Sequence, residues 1–72
     1  MVIRNQSHDA LFILEKGTII QVNTTCVVMF LKGDKEQTII GRYHTEERAL
    51  EVLNEVFDNI EKGKTTYSIP LC

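Results

Sequence analysis

GRYHTEERALEVLNEVFDNI, residues Gly41–Ile60, is the stretch whose reading decides the fold. Thr45 stands where a helix N-cap belongs, with a hydroxyl able to accept an orphan backbone N–H, and Glu46 and Glu47 place negative charge at the positive end of the helix dipole. Arg48 holds the position that a full capping box gives to Glu or Gln, so half of that motif is present. At 100° per residue, Ala49, Leu50, Val52, Leu53, Val56, Phe57 and Ile60 share an arc of about 160°, and Glu51, Asn54, Glu55, Asp58 and Glu61 lie opposite. Lys62 and Gly63 supply the basic last turn and the C′ glycine that end the helix. What the apolar arc lies on then becomes the question.

Upstream, the chain reads as short strands. "MVIRN" opens one and the polar "QSHD" ends it; "ALFIL" makes a second, and "EKG" brings Gly17, whose freedom at positive φ suits a tight hairpin, before "TIIQV". "TTCVVMFLK" is rich in β-branched and aromatic residues, "GDK" turns it, and "EQTIIGRY" leads into the helix. Downstream, "TTYSIP" adds a last short strand, with Pro70 at or near a sheet edge. Connections of only a few residues make consecutive strands antiparallel neighbours. The expected fold class is α+β: an antiparallel β-meander of five or six strands with one amphipathic helix packed on one face, a single domain over residues 1–72.

Coverage then raises a difficulty. Alternate side chains of a strand point to opposite faces, and "CVVMFL" is apolar on both: Cys26, Val28 and Phe30 on one side, Val27, Met29 and Leu31 on the other. "LFIL" repeats the pattern. One helix covers one face, and each such side chain left wet forgoes roughly 1.5–3 kcal/mol. A chain of 72 residues buries only roughly 60% of its unfolded surface, so it has little stability to spare. A homodimer through the uncovered face or an edge strand, with Val27, Met29 and Leu31 as its interface, is the preferred solution; a curved half-barrel closed on itself is the other.

Composition narrows the function. The net charge of −2 and pI near 5.6, with eight dispersed basic residues, disfavour nucleic acid as a partner. No charged n-region precedes a long apolar segment, and "CVVMFL" is too short to span a bilayer, so a cytoplasmic location and no membrane partner are expected, and the Asn23–Thr25 sequon carries no meaning there. Cys26 and Cys72 lack the neighbours of a redox or zinc motif, and no metal or cofactor is expected. His8 beside Asp9, and His44 before Glu46 and Glu47, have the skeleton of a general base but sit in a turn and before a cap. Ser7 and Ser68 lack a nucleophile elbow, and the four glycines stand singly. A catalytic role is therefore not expected. Arg42 and Arg48 can reach one corner at the helix N-terminus, where a phosphate or carboxylate can bind; with Arg4, Tyr43 and Tyr67 they form the candidate ligand-binding set. The acidic stripe of the helix is a possible contact for a basic partner, and also what any surface helix shows.

The opening "MVIRNQ", the segment "IGRYHTEERALEVLNEV" and the closing "YSIP" resemble small uncharacterised proteins of Gram-positive bacteria and their phages, over about Met1–Ser7 and Ile39–Pro70. The resemblance implies a protein that works by binding a host protein or trapping a small signalling molecule, without turnover. The expected function is a small non-catalytic, homo-oligomeric binding protein acting by protein–protein interaction, through a strand edge or the acidic helix face. The alternative is an oligomeric sponge that sequesters a nucleotide-like molecule in an interface pocket.

Overall fold

The computed structural model describes Met1–Cys72. Its elements are β1 (Val2–Arg4), β2 (Leu11–Ile13), β3 (Ile19–Asn23), β4 (Cys26–Phe30), β5 (Thr38–Arg42), α1 (Glu46–Glu61) and β6 (Thr66–Ser68). The helix forms as its caps dictate. The Thr45 hydroxyl accepts the Arg48 N–H at 3.1 Å, and after the C-cap Lys62 the chain leaves through Gly63 at φ 74°.

The strands form two three-stranded sheets, ordered β2–β1–β6 and β3–β4–β5, in place of the single meander expected. Each hairpin is antiparallel, as short connections require: β1 with β2, β3 with β4, β4 with β5. The turn at Glu15–Thr18 also forms, with Thr18 N–H donating to the Glu15 carbonyl at 3.0 Å and Gly17 at φ 98°, but it hands the chain from one sheet to the other. β6 pairs with β1 in parallel, Ile3 opposite Tyr67. A parallel neighbour needs a long crossover, here everything between the two strands, and no local pattern announces it. The two-residue turn between β3 and β4 also escapes sequence reasoning, because its left-handed position is held by Thr24 (φ 59°), a β-branched residue seldom found there.

Gln6 joins the two sheets. Its N–H donates to the Ile40 carbonyl at 2.8 Å, and its side-chain oxygen accepts the Arg42 N–H at 2.8 Å. Its amide NH₂ lies 3.0, 3.1 and 2.8 Å from the carbonyls of Arg42, Pro70 and Leu71. One side chain thus ties the end of β1 to the end of β5 and to the segment after β6.

The core fills the space between these sheets and the helix: Ile3, Val27, Met29, Ile40, Tyr43, Ala49, Val52, Val56 and Ile69. Helix α1 packs on β3 and β4. Val27 and Met29, expected at a subunit interface, are fully buried in this core, and Leu31 packs half-buried against it. Val27 and Met29 therefore present no surface to a second copy. Period-2 patterning separates the two faces of β4 but cannot tell which one the helix takes. The outward face carries Cys26, Val28 and Phe30, with Val28 itself buried between its ladder neighbours Gln21 and Ile39.

Opposite Val27 and Val28, β5 carries one extra residue, Ile40, in a β-bulge. Beside the bulge, close packing accounts for glycine at 41, because a Cβ there would stand 2.9 Å from Ile69 Cγ2 and 3.0 Å from the Tyr43 hydroxyl.

Candidate functional site

The five residues of the expected ligand set do not share one site. Arg42, Tyr43 and Arg48 line a hollow of about 230 Å³ at the helix N-terminus, together with His44, Thr45, Leu71 and Cys72. Arg4 and Tyr67 lie in a separate hollow of about 270 Å³ with Val2, Leu11, Thr66 and Ser68. The sheets separate them: Arg42 ends β5, whereas Arg4 and Tyr67 sit on β1 and β6.

Three residues of that set are already engaged. Tyr43 donates its hydroxyl to the Pro70 carbonyl at 2.8 Å, and burial pushes its pKa up to about 12. Tyr67 donates to Glu55 Oε2 at 2.6 Å; burial, then that bond to a carboxylate, hold its phenol well above the usual range. The Arg48 guanidinium lies 5.9 Å from the centre of the Tyr43 ring, donates through Nη2 to the Cys72 backbone oxygen at 2.9 Å and meets Glu51 at 3.5 Å. Arg42 is exposed at the mouth of the same hollow. Both hollows are smaller than the roughly 300–1,000 Å³ of ordinary small-molecule sites.

The histidine turn is also committed locally. Asp9 Oδ1 accepts from the Asn5 amide and from the Ser7 hydroxyl, both at 2.8 Å, and those donors hold the carboxylate below its usual range. His8 occupies a left-handed position at φ 63° in this turn. No group of three or more His, Cys, Asp or Glu side chains is placed to hold a metal ion, and no helix is long and apolar enough to cross a membrane.

The largest concavity is elsewhere. A groove of about 490 Å³ runs between α1 and the β2–β3 connection, lined by Leu14, Ile20, Leu53, Val56, Phe57 and Ile60, with Glu15, Thr18 and Asn54 completing it. It exists because the helix has more apolar surface than the core can use. Ala49, Val52 and Val56 are buried, but Phe57 is 59% exposed, Ile60 48% and Leu50 44%. No cation lines the groove, and its one charged residue is Glu15. The sequence held a signal for this site. A core-facing stripe is about 100° wide, and an arc of about 160° leaves a margin for something else.

Two further apolar areas face outward. On β3–β4–β5, register places Ile19 opposite Phe30 and Ile39 opposite the buried Val28, leaving apolar surface that is 54% exposed at Ile19 and 37% at Ile39. On the other sheet, Leu11 and Ile13 are both exposed.

Comparison of this chain with protein-family models, with curated proteins and with solved structures finds no match.

Proposed function

We propose that this chain is a small non-catalytic binding protein that acts by protein–protein contact and assembles with a second copy of itself. The observation that carries this is the large apolar surface left outside a completed core: eight large hydrophobic side chains remain exposed, most of them grouped on three faces. A single exposed leucine means nothing, but contiguous apolar areas edged by polar residues are how proteins meet other proteins. Self-association belongs to the outer face of β3–β4–β5. Ile19, Phe30 and Ile39 present uncharged apolar surface there, around the buried Val28, so a twofold-related copy brings apolar surface to apolar surface without opposing like charges. A different protein, which the sequence resemblance implies is a host protein, takes the helix side.

Sedimentation equilibrium tests the reading. A dimer at micromolar concentration that becomes monomeric in Ile19→Lys/Ile39→Lys, with its melting transition retained, supports it. A wild-type chain that stays monomeric at the highest soluble concentration counts against it.

The alternative, sequestration of a nucleotide-like molecule, draws on one observation: Arg42, Tyr43 and Arg48 converge on one hollow, and Arg42 lies opposite Cys26 at the margin of the proposed dimer face. Two copies meeting there would bring two such corners into one assembly. A thermal shift with added nucleotide that disappears in Arg42→Ala would favour sequestration over protein binding.

A further inference from the structure

We infer that the groove beside α1 is the docking site for a basic amphipathic helix of a partner protein. This rests on the protein-binding function proposed above and names the chemistry of the partner. Leu50, Leu53, Phe57 and Ile60 recur at intervals of three, four and three residues, the spacing of a helix–helix seam. The core uses a different strip of the same helix, Ala49, Val52 and Val56. α1 therefore carries two seams, one filled by its own sheets and one open. At 1.5 Å per residue the open seam is about 15 Å long, enough to hold close to three turns of a second helix, with Leu14 and Ile20 as the far wall.

Charge selects the occupant. Residues 46–61 carry six carboxylates (Glu46, Glu47, Glu51, Glu55, Asp58 and Glu61) against one cation, Arg48. The rest of the chain carries seven cations against four carboxylates, so a helix of −5 sits on a body of +3, giving the −2 of the whole. Glu47 and Glu61 occupy equivalent positions along one flank of the seam, seven residues to either side of Asn54, and Glu15 lies in the groove across from it. A segment with apolar residues at seam spacing and Lys or Arg on its flanks satisfies both the groove and the field around it. A second copy does not, since twofold pairing through this face sets −5 against −5. An anionic membrane surface is repelled for the same reason. An added β-strand does not match the helical period of the open seam.

Two fluorescent peptides of three heptads provide the probe, identical at their apolar seam positions and carrying either Lys or Glu on the flanks. Anisotropy should show the basic peptide binding the full chain at micromolar concentration, at least about tenfold more tightly than the acidic one, with helical circular dichroism gained on binding. Phe57→Ala should weaken it about tenfold, as loss of an apolar anchor does, while the melting temperature stays put. Glu47→Lys/Glu61→Lys should reverse the preference between the peptides. Equal binding of the two peptides, no binding of the basic one, or unchanged affinity in Phe57→Ala overturns the inference. So does a loss of self-association in Phe57→Ala, which would place a second copy in the groove. If the peptides fail while the wild type still dimerises through Ile19 and Ile39, only this inference falls; if that dimer is missing too, the function beneath it fails as well.

Discussion

The two apolar strips of α1 share one helix and one set of caps, yet they end in opposite environments. Ala49, Val52 and Val56 lie against Ile3, Val27 and Met29 and see almost no solvent. Leu50, Phe57 and Ile60, a fraction of a turn away, are exposed, and Phe57 and Ile60 line an open groove. The difference teaches that apolar character on a helix states a demand for contact without saying whether the contact is internal. A small domain has only so much sheet to offer, and this chain's two three-stranded sheets fill one strip.

The sharpest way to break the contrast is a matched pair of aspartates. Val52→Asp buries a charge with no partner, a cost of several kcal/mol against a total stability of about 5–15 kcal/mol; it should abolish the cooperative thermal transition. Phe57→Asp should fold with a melting temperature within a few degrees of wild type. If both variants unfold, the outer strip is as structural as the inner one and the distinction is lost.

The inner strip faces a core only because the two sheets are held together, and Gln6 holds them. Gln6→Ala leaves the Arg42 N–H and the carbonyls of Arg42, Pro70 and Leu71 without their side-chain partner. Urea unfolding should show a loss of about 1–3 kcal/mol, with the basic peptide's affinity for the groove unchanged.

Thr45→Ala removes the N-cap that both strips share, and should cost about 1 kcal/mol in the same urea assay.

Alkaline titration probes the surroundings of the inner strip. Tyr43 lies in the core beside the inner strip, with its pKa pushed to about 12 from 10.0, and Tyr67, bonded to Glu55, is raised further. The unfolded chain releases these protons first, so the folded state binds more protons above pH 10. The stabilisation is complete below about pH 10 and is lost as pH rises through 12 and beyond. Melting temperatures measured from pH 9 to 12 should fall, and Tyr67→Phe should flatten the slope. The smallest effect is Phe57→Ser, expected to change stability by no more than about 0.5 kcal/mol.

Much of the fold was legible. The Thr45 cap, the extent of the helix to Lys62 and Gly63 and three of the hairpin pairs follow from chemistry within a few residues of each other, whereas the turn at Gly17 forms without pairing β2 to β3. The candidate site was less so. Arg42, Tyr43 and Arg48 were brought together, as their nearness in sequence suggested, but Arg4 and Tyr67 went to the other sheet. Val27 and Met29 had the right demand for burial and the wrong partner. Gln6 gave no signal, because a glutamine in a polar turn becomes a tie only when β5 and the segment after β6 arrive beside it from 36 and 64 residues away.

The sequence alone determined the elements, because caps, turns and periodicity act through neighbours along the chain. It also determined that both faces of β4 and a wide arc of α1 must find cover. Only the tertiary structure decided which face lies under the helix, that the strands divide into two sheets, one of them holding a parallel β1–β6 pair, and which strip of α1 is left open. Those choices depend on contacts between residues distant in sequence, where several arrangements satisfy the same local pattern and the total area buried selects among them.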